Sequence, residues 1–243
     1  MVKEAYRPGI SVVMPAYNEK DNIERAVESA LKVLKDASDD FEIVVVDDAS
    51  TDGTGAMLDR MAASIPALKV VHHDRNRKFG KTIRDGFAVA SKELVFITDS
   101  DNPIDMEDMK KAIPLMKEYD FVSGSRLTRE PSVKRIVYTA IYNFMIRTVF
   151  RLNVRDVNFS YKMVKRELLR KLDLRSEGSF IDAEMLLEAK RRGARIKEID
   201  IMYYPRALGE STLASPSIIA KILYEMSKYM LRRLFQFGRS GPV

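Results

Sequence analysis

Hydrophobic and polar positions change their period along this chain, and each change marks an element. Ile10 to Met14 (ISVVM) is a short, largely β-branched run ended by Pro15, which predicts a strand. From Asp21 to Leu34 the apolar residues Ile23, Ala26, Val27, Ala30, Leu31 and Leu34 recur at helical spacing, which predicts an amphipathic helix. Phe41 to Val46 (FEIVVV) is apolar almost without a break, as a strand buried on both faces would be. The alternation continues with a helix over Thr54 to Ala63 after Gly53, a strand over Leu68 to Val71 and a helix over Thr82 to Ser91. A strand over Leu94 to Thr98, a helix over Met106 to Lys117 and a strand over Phe121 to Ser123 follow. Strand and helix alternating at this spacing predict an α/β fold, a mainly parallel central sheet with helices on both faces.

The second half has a different pattern. Val133 to Leu152 is apolar nearly all round, with Lys134, Arg135, Arg147 and Arg151 near its ends. Ser217 to Leu234 predicts an amphipathic helix. Ile218, Ile219, Ile222, Leu223, Met226, Tyr229 and Met230 share one face, and Lys221, Glu225, Lys228 and Arg232 the polar face. Between these segments Ala183 to Arg192 reads as a helix and Ile196 to Tyr203 as a strand. With no internal repeat or linker, the expected organisation is one α/β domain over residues 1–214, holding the apolar basic segment 133–152, then a C-terminal amphipathic helix and tail over 215–243.

Composition narrows the chemistry. With 46% hydrophobic and 31% charged residues the chain is not disordered in bulk. It has no cysteine, which excludes thiol catalysis, cysteine-ligated zinc, iron–sulfur clusters and disulfides. The only histidines, His72 and His73, are adjacent and read as the end of a strand. No run is long and apolar enough for a spanning helix, and the N-terminus lacks a signal-peptide pattern, so neither is expected. The net charge of +6 is unevenly spread. Residues 129–155 hold six basic residues and one acidic, residues 215–243 hold five and one, and the remainder is net acidic. A mildly acidic body with two basic, apolar segments points away from nucleic acid and towards an anionic membrane surface or lipid. The plainer alternative is two solvated helix faces.

Parallel sheets bind ligands beyond the carboxyl ends of their strands. The residues there are Pro15, Ala16, Tyr17, Asn18 and Glu19; Asp47 and Asp48 in DDASTDG; Asp99, Ser100 and Asp101; and Gly124, Ser125 and Arg126. Asp99 and Asp101 suit a hard divalent cation that also meets substrate phosphates. Asp52 and Gly53 read as turn and cap chemistry. Walker, dinucleotide-binding and nucleophile-elbow motifs are all absent.

PAYNE, VVVDDASTDGT, the spaced acids of FITDSD, and GSR resemble the family 2 inverting glycosyltransferases, which have the glycosyltransferase-A fold. In the second half VRDVNFSYKMVKREL, EGSFIDAEMLLEAKRRGARIKEIDI and YPRALGEST resemble the polyprenyl-phosphate hexosyltransferases, the group of dolichyl-phosphate mannose synthase. The similarity runs from about Ile10 to Thr212, and its motifs are specific jointly rather than singly. The resemblance implies that Pro15, Tyr17, Glu19, Val46 and Asp48, with Asp99 and Ser100, bind a nucleotide-sugar, Asp48 taking the base or ribose. It implies Mg2+ or Mn2+ on Asp99 and Asp101, with Asp101 catalytic through it. Arg126 and Arg206 would hold phosphate, including that of the acceptor, with Ser211 helping; arginine's planar fork suits phosphate oxygens.

Three positions depart from the group. Asn102 and Pro103 follow the spaced acids where the mannose synthases usually carry an apolar residue and then a glutamine ligand, so Asn102, Asp105 or water would complete the metal shell. Ser160 stands where the family often has glycine, and Thr212 where the mannose synthases have a phosphate-binding lysine. These bear on the donor, of GDP-mannose or UDP-glucose type, more than on the reaction class.

The expected reaction is direct displacement with inversion, in which the phosphate of a polyprenyl or dolichyl phosphate attacks the anomeric carbon. Such a nucleophile is already ionised, whereas a sugar hydroxyl acceptor, the rival reading, needs a base. Asp182 is the candidate base, and Glu184 is expected to be structural. The lipid acceptor implies a peripheral, monotopic enzyme at the cytoplasmic face of a membrane, docked through 133–152 and 217–234. An anchoring partner or homo-oligomer is a further expectation. A sugar-nucleotide pyrophosphorylase would open with a glycine-rich loop that this chain lacks, and an inactive scaffold subunit would have lost Asp48, Asp99 and Asp101.

Overall fold

The computed structural model describes residues 6–101, 104–127, 144, 146–204 and 216–237. Within them the strands are β1 (Ile10–Ala16), β2 (Phe41–Asp47), β3 (Leu68–His72), β4 (Leu94–Ile97), β5 (Phe121–Leu127), β6 (Lys162–Lys165) and β7 (Ile196–Met202). They form one seven-stranded sheet in the order β3-β2-β1-β4-β6-β5-β7. All pairings are parallel except those of β6, which runs antiparallel to both β4 and β5. The helices are α1 (Ile23–Ala37), α2 (Thr54–Ser64), α3 (Phe79–Val89), α4 (Arg166–Leu169), α5 (Ile181–Arg191) and α6 (Pro216–Phe237).

The unbroken apolar runs of β1 and β2 feed two cores. Ile10, Val12 and Met14 face α1, together with Ile43 and Val45, whereas Val13, Val44 and Val46 face α3 and α5. Gly86 lets α3 lie close on β1, since a Cβ there would stand 2.5 Å from Val13 Cγ1. The expected parallel sheet with helices on both faces is therefore present.

Several elements differ from expectation. Met106 to Lys117 is two 3-10 turns, Met106–Lys111 and Ile113–Lys117, instead of one α-helix. Pro114 has no N–H and its ring would strike the carbonyl four residues earlier, so an α-helix cannot continue through it. β5 runs on to Leu127, because β7 pairs with it along its whole length. β6 was not expected as a strand, and its pairing with β4 and β5 is long-range. Of the apolar segment 133–152, residues 146–150 are helical, and most of the rest lies outside the described residues.

The helix expected at Ser217 to Leu234 is present as α6, but its polar face does not simply meet water. Glu225 Oε1 accepts the N–H groups of Glu177 (3.0 Å) and Gly178 (2.7 Å). Arg232 pairs with Glu184, Arg233 with Glu188, and the Tyr229 hydroxyl donates to Glu188 at 2.9 Å. Glu184 and Glu188 are buried on α5 and need these donors, which turns Arg232 inward, while the N–H groups of residues 177 and 178 hold Glu225. Lys221, Tyr224, Lys228 and Leu231 form the exposed stripe. Among the described residues no helix is long and apolar enough to cross a membrane.

At the edge opposite the strand ends, Glu42 ties four segments together. Its carboxylate accepts from Ser11 Oγ (2.6 Å), Ser91 N (2.5 Å) and Lys69 Nζ (2.6 Å). Burial alone would raise this carboxyl, but Lys69, Ser11 and Ser91 bring it down to about 2 from an ordinary 4.5. The ionised form thus stabilises the fold above pH 4.5, and that stabilisation is lost as pH falls towards 2. In urea titrations between pH 6 and pH 3 the wild type should lose about 2 kcal/mol more than Glu42→Gln. Equal losses would show that Glu42 carries no such linkage.

Candidate active site

The topology fixes where a ligand can enter. From β1 the chain winds outward through β2 to β3, then returns to β4 on the other side of β1, so the segments leaving β1 and β4 diverge. Pro15 to Glu19 forms one lip of this crevice and Asp99 to Asp101 the other. The Ser100 hydroxyl donates to the Pro15 carbonyl at 2.9 Å and ties the lips together. Asp48 follows β2 at the same edge, its N–H bonded to the Ala16 carbonyl at 2.9 Å. Ser100 is buried and its hydroxyl is committed to the backbone, so its side chain fastens the site.

The β1 and β2 loops hold each other. Asn18 takes the left-handed conformation (φ 56°), its N–H meets Ser50 Oγ at 2.9 Å, and its Oδ1 accepts from Thr51 N at 2.8 Å. The Glu19 N–H bonds Thr54 Oγ1 at 3.0 Å. Asp52 accepts from the N–H groups of Lys20 and Thr54, the turn role expected of it. Tyr17 is left 49% exposed, available for stacking. Val46 differs from expectation. Its side chain is fully buried in the α3-side core, because alternate β2 residues point there, and it offers a ligand only main chain.

Adjacent histidines brace the β2 acids, a feature that the sequence reading missed. His72 bonds Asp47 and Asp59, each at 3.0 Å, and His73 bonds Asp48 at 2.6 Å and Asp85 at 2.9 Å. Burial alone would lower the His72 imidazole, but Asp47 and Asp59 outweigh it and hold it above the ordinary value. The signal was a His-His pair ending a strand next to one that ends in Asp-Asp.

Asp99 and Asp101 flank the far lip. Asp101 is buried. A buried carboxylate two residues from a second one, at the end of a strand, suits a hard cation. No group of three metal-ligating side chains exists among the described residues, so substrate phosphates or water would complete the shell. Asp105 is exposed and caps the first 3-10 turn through Glu107 N at 3.0 Å, which commits it elsewhere.

Arg126 and Asp182 lie behind this lip, and both are paired. Arg126 grips Asp156 with Nε at 2.6 Å and Nη2 at 2.8 Å, and lies over the Phe159 and Tyr203 rings. Burial opposes its charge, but Asp156, with Asp99 contributing, leaves the guanidinium raised. Its Nε–Nη2 edge is therefore engaged by Asp156, and a phosphate would meet the remaining N–H groups of Nη1 and Nη2. Asp182, in the first turn of α5, pairs with Lys162 at 2.7 Å. Lys162 is fully buried at the start of β6. Burial raises the Asp182 carboxyl more than Lys162 lowers it. Glu184 accepts the N–H groups of Arg175 (2.9 Å) and Ser176 (2.8 Å), the structural role expected of it. Arg206 and Ser211, with Asn102, Pro103 and Thr212, lie outside the described residues. A cavity of about 630 Å³ between α6 and residues 175–179 is lined by Lys78, Tyr224 and Lys228 among others, and none of the strand-end acids lines it.

The Lys162–Asp182 pair generates a prediction. Removing one partner strands a buried charge, whereas removing both does not. Lys162→Met should destabilise the fold by about 3–5 kcal/mol in urea titration, and Lys162→Met with Asp182→Leu should recover most of that. A single variant as stable as the wild type would contradict the buried pair.

Comparison with known proteins matches this architecture. The family model described as glycosyl transferase family 2 matches residues 11–173. Glycosyltransferase AglD of Haloferax volcanii is 30% identical over 81% of this chain, which spans only 33% of AglD's length. An undecaprenyl-phosphate mannosyltransferase of Micrococcus luteus is 27% identical, the match covering 91% of this chain and 94% of that protein. The mannosyltransferase PcManGT of Pyrobaculum calidifontis, solved with GDP-Man and Mn2+, superposes with a TM-score of 0.62 at 25% identity, covering 86% of this chain and 60% of that one. The sheet order and helix layers are those of the glycosyltransferase-A fold, and this chain belongs to glycosyl transferase family 2.

Proposed function

We propose that this chain transfers a hexose from a nucleotide-sugar to a polyprenyl phosphate at a membrane surface, with inversion at the anomeric carbon. The observation that carries the reading is the buried ion pair of Asp182 with Lys162. A general base must take a proton from the attacking group within hydrogen-bond reach. Asp182 is instead committed to an ammonium beneath the site, so the acceptor that fits brings its own ionised oxygen. A lipid monophosphate does so. The naming of a full-length relative as an undecaprenyl-phosphate mannosyltransferase supports the same acceptor class.

In this reading Tyr17, Glu19 and Asp48 hold the nucleoside, with main-chain groups of Pro15 and Val46, and Ser100 keeps the lips of the crevice together. Asp99 and Asp101 hold a divalent cation, as the Mn2+ in the PcManGT complex also suggests. That cation would offset the charge of the departing nucleoside diphosphate. Arg126 offers its remaining N–H groups to phosphate while Asp156 fixes its plane, and Arg206 and Ser211 are proposed as further phosphate contacts. The donor is of GDP-mannose or UDP-glucose type. The exposed Lys221, Tyr224, Lys228 and Leu231 stripe of α6, with the basic segment 129–155, would meet anionic lipid headgroups.

Turnover of Asp182→Asn tests the acceptor. With nucleotide-sugar and polyprenyl phosphate saturating, and circular dichroism confirming the fold, the loss should be about tenfold or less. General base catalysis contributes about 10²–10⁴-fold, so a drop of about a thousandfold or more would favour a sugar hydroxyl acceptor with Asp182 as its base. Asp101→Ala should abolish transfer with the fold intact; full activity in this variant would remove the cation from the reading.

A further inference from the structure

We infer that His73 is a positioning residue for the nucleotide site, orienting Asp48 through one carboxylate oxygen. This rests on the role proposed above for Asp48. Parallel pairing sets Asp47 opposite His72, and the His73 N–H bonds the Asp47 carbonyl at 2.9 Å, so the two histidines flank the two aspartates. Successive strand residues point to opposite faces. His72 therefore turns towards α2, where it meets Asp59, and His73 towards α3, where it meets Asp85.

The geometry at Asp48 is asymmetric. His73 Nδ1 (2.6 Å) and the Arg77 N–H (2.7 Å) both reach Oδ1. No described residue donates to Oδ2, which is left for a ribose hydroxyl or a base N–H. The His73 side chain is only 5% exposed, so water does not substitute for it. Its other nitrogen faces the Asp85 carboxylate. The imidazole therefore bridges the two carboxylates, one on each ring nitrogen.

The neighbouring charges leave this role to His73. On α3, Lys81 pairs with Asp85. In the loop after β3, the Arg77 guanidinium pairs with Asp74 at 2.9 Å and gives Asp48 only its backbone N–H. On β2, Asp47 is held by His72. Without the His73 imidazole the clamp on Oδ1 loosens, and Oδ2 is no longer held towards the ligand.

The test is calorimetric titration of the full chain with UDP and with GDP, each with Mn2+, in the wild type, His73→Ala and His73→Asn. Circular dichroism checks the fold of each variant. His73→Asn keeps a donor where Nδ1 stands. His73→Ala should bind roughly ten- to a hundredfold more weakly, the size of one hydrogen bond to a charged group, and His73→Asn should recover most of that loss. Wild-type affinity in His73→Ala, or no recovery in His73→Asn, would overturn the inference. Asp48→Ala separates the two levels. If it binds nucleotide normally, the role proposed for Asp48 falls and this inference with it. If it loses binding while the His73 variants behave as wild type, the inference alone falls.

Discussion

A carboxylate can leave water only if cations and N–H groups replace the hydration it loses, and this chain removes a row of carboxylates from water along one edge of its sheet. Asp47 and Asp48 lean on His72 and His73, Asp156 on Arg126, and Asp182 on Lys162. Glu184 and Glu188 lean on arginines of α6. Most of these pairs join elements far apart in the chain, so the same contacts that neutralise the acids also fix β2 against β3, β6 against α5, and α5 against α6. Breaking one leaves a stranded charge, which makes the arrangement around the site costly to deform.

This compensation has a consequence for ligands. The proposed ligands, a nucleotide-sugar and a lipid phosphate, both bring negative charge to an edge rich in acids, and an uncompensated edge would repel them. In the proposed reading the edge meets them with Asp48 Oδ2, the Asp99 and Asp101 carboxylates, and the Arg126 guanidinium. Ser100 and Asn18 contribute by holding the lips of the crevice in register. In the same reading Asp182 belongs to the supporting layer, held by a lysine that water does not reach.

Local pattern made much of this legible. The β-branched runs of β1, β2 and β4, and the helical period of α1, are short-range features, and the acids that follow the strands could be read at once as one edge. The elements that escaped were decided at long range or by a single residue. Lys162 to Lys165 is four residues with a lysine at each end, and it is a strand because β4 and β5 both pair with it. Pro114 turned an apparent α-helix into two 3-10 turns. Glu225 and Arg232 look solvent-facing on a helical wheel, yet their partners at residues 177, 178 and 184 draw them inward. Lysine is so rarely buried that Lys162 gave no sign of holding Asp182.

The central claim is that the attacking oxygen arrives already ionised, as a phosphate. Nucleotide release from the donor, with Mn2+ present, should be compared for a polyprenyl phosphate and for the polyprenol of the same length, which differs only in lacking the phosphate. The account predicts release that depends on the polyprenyl phosphate and stays at background with the polyprenol. Equal release with the two, or release with the alcohol alone, would contradict it.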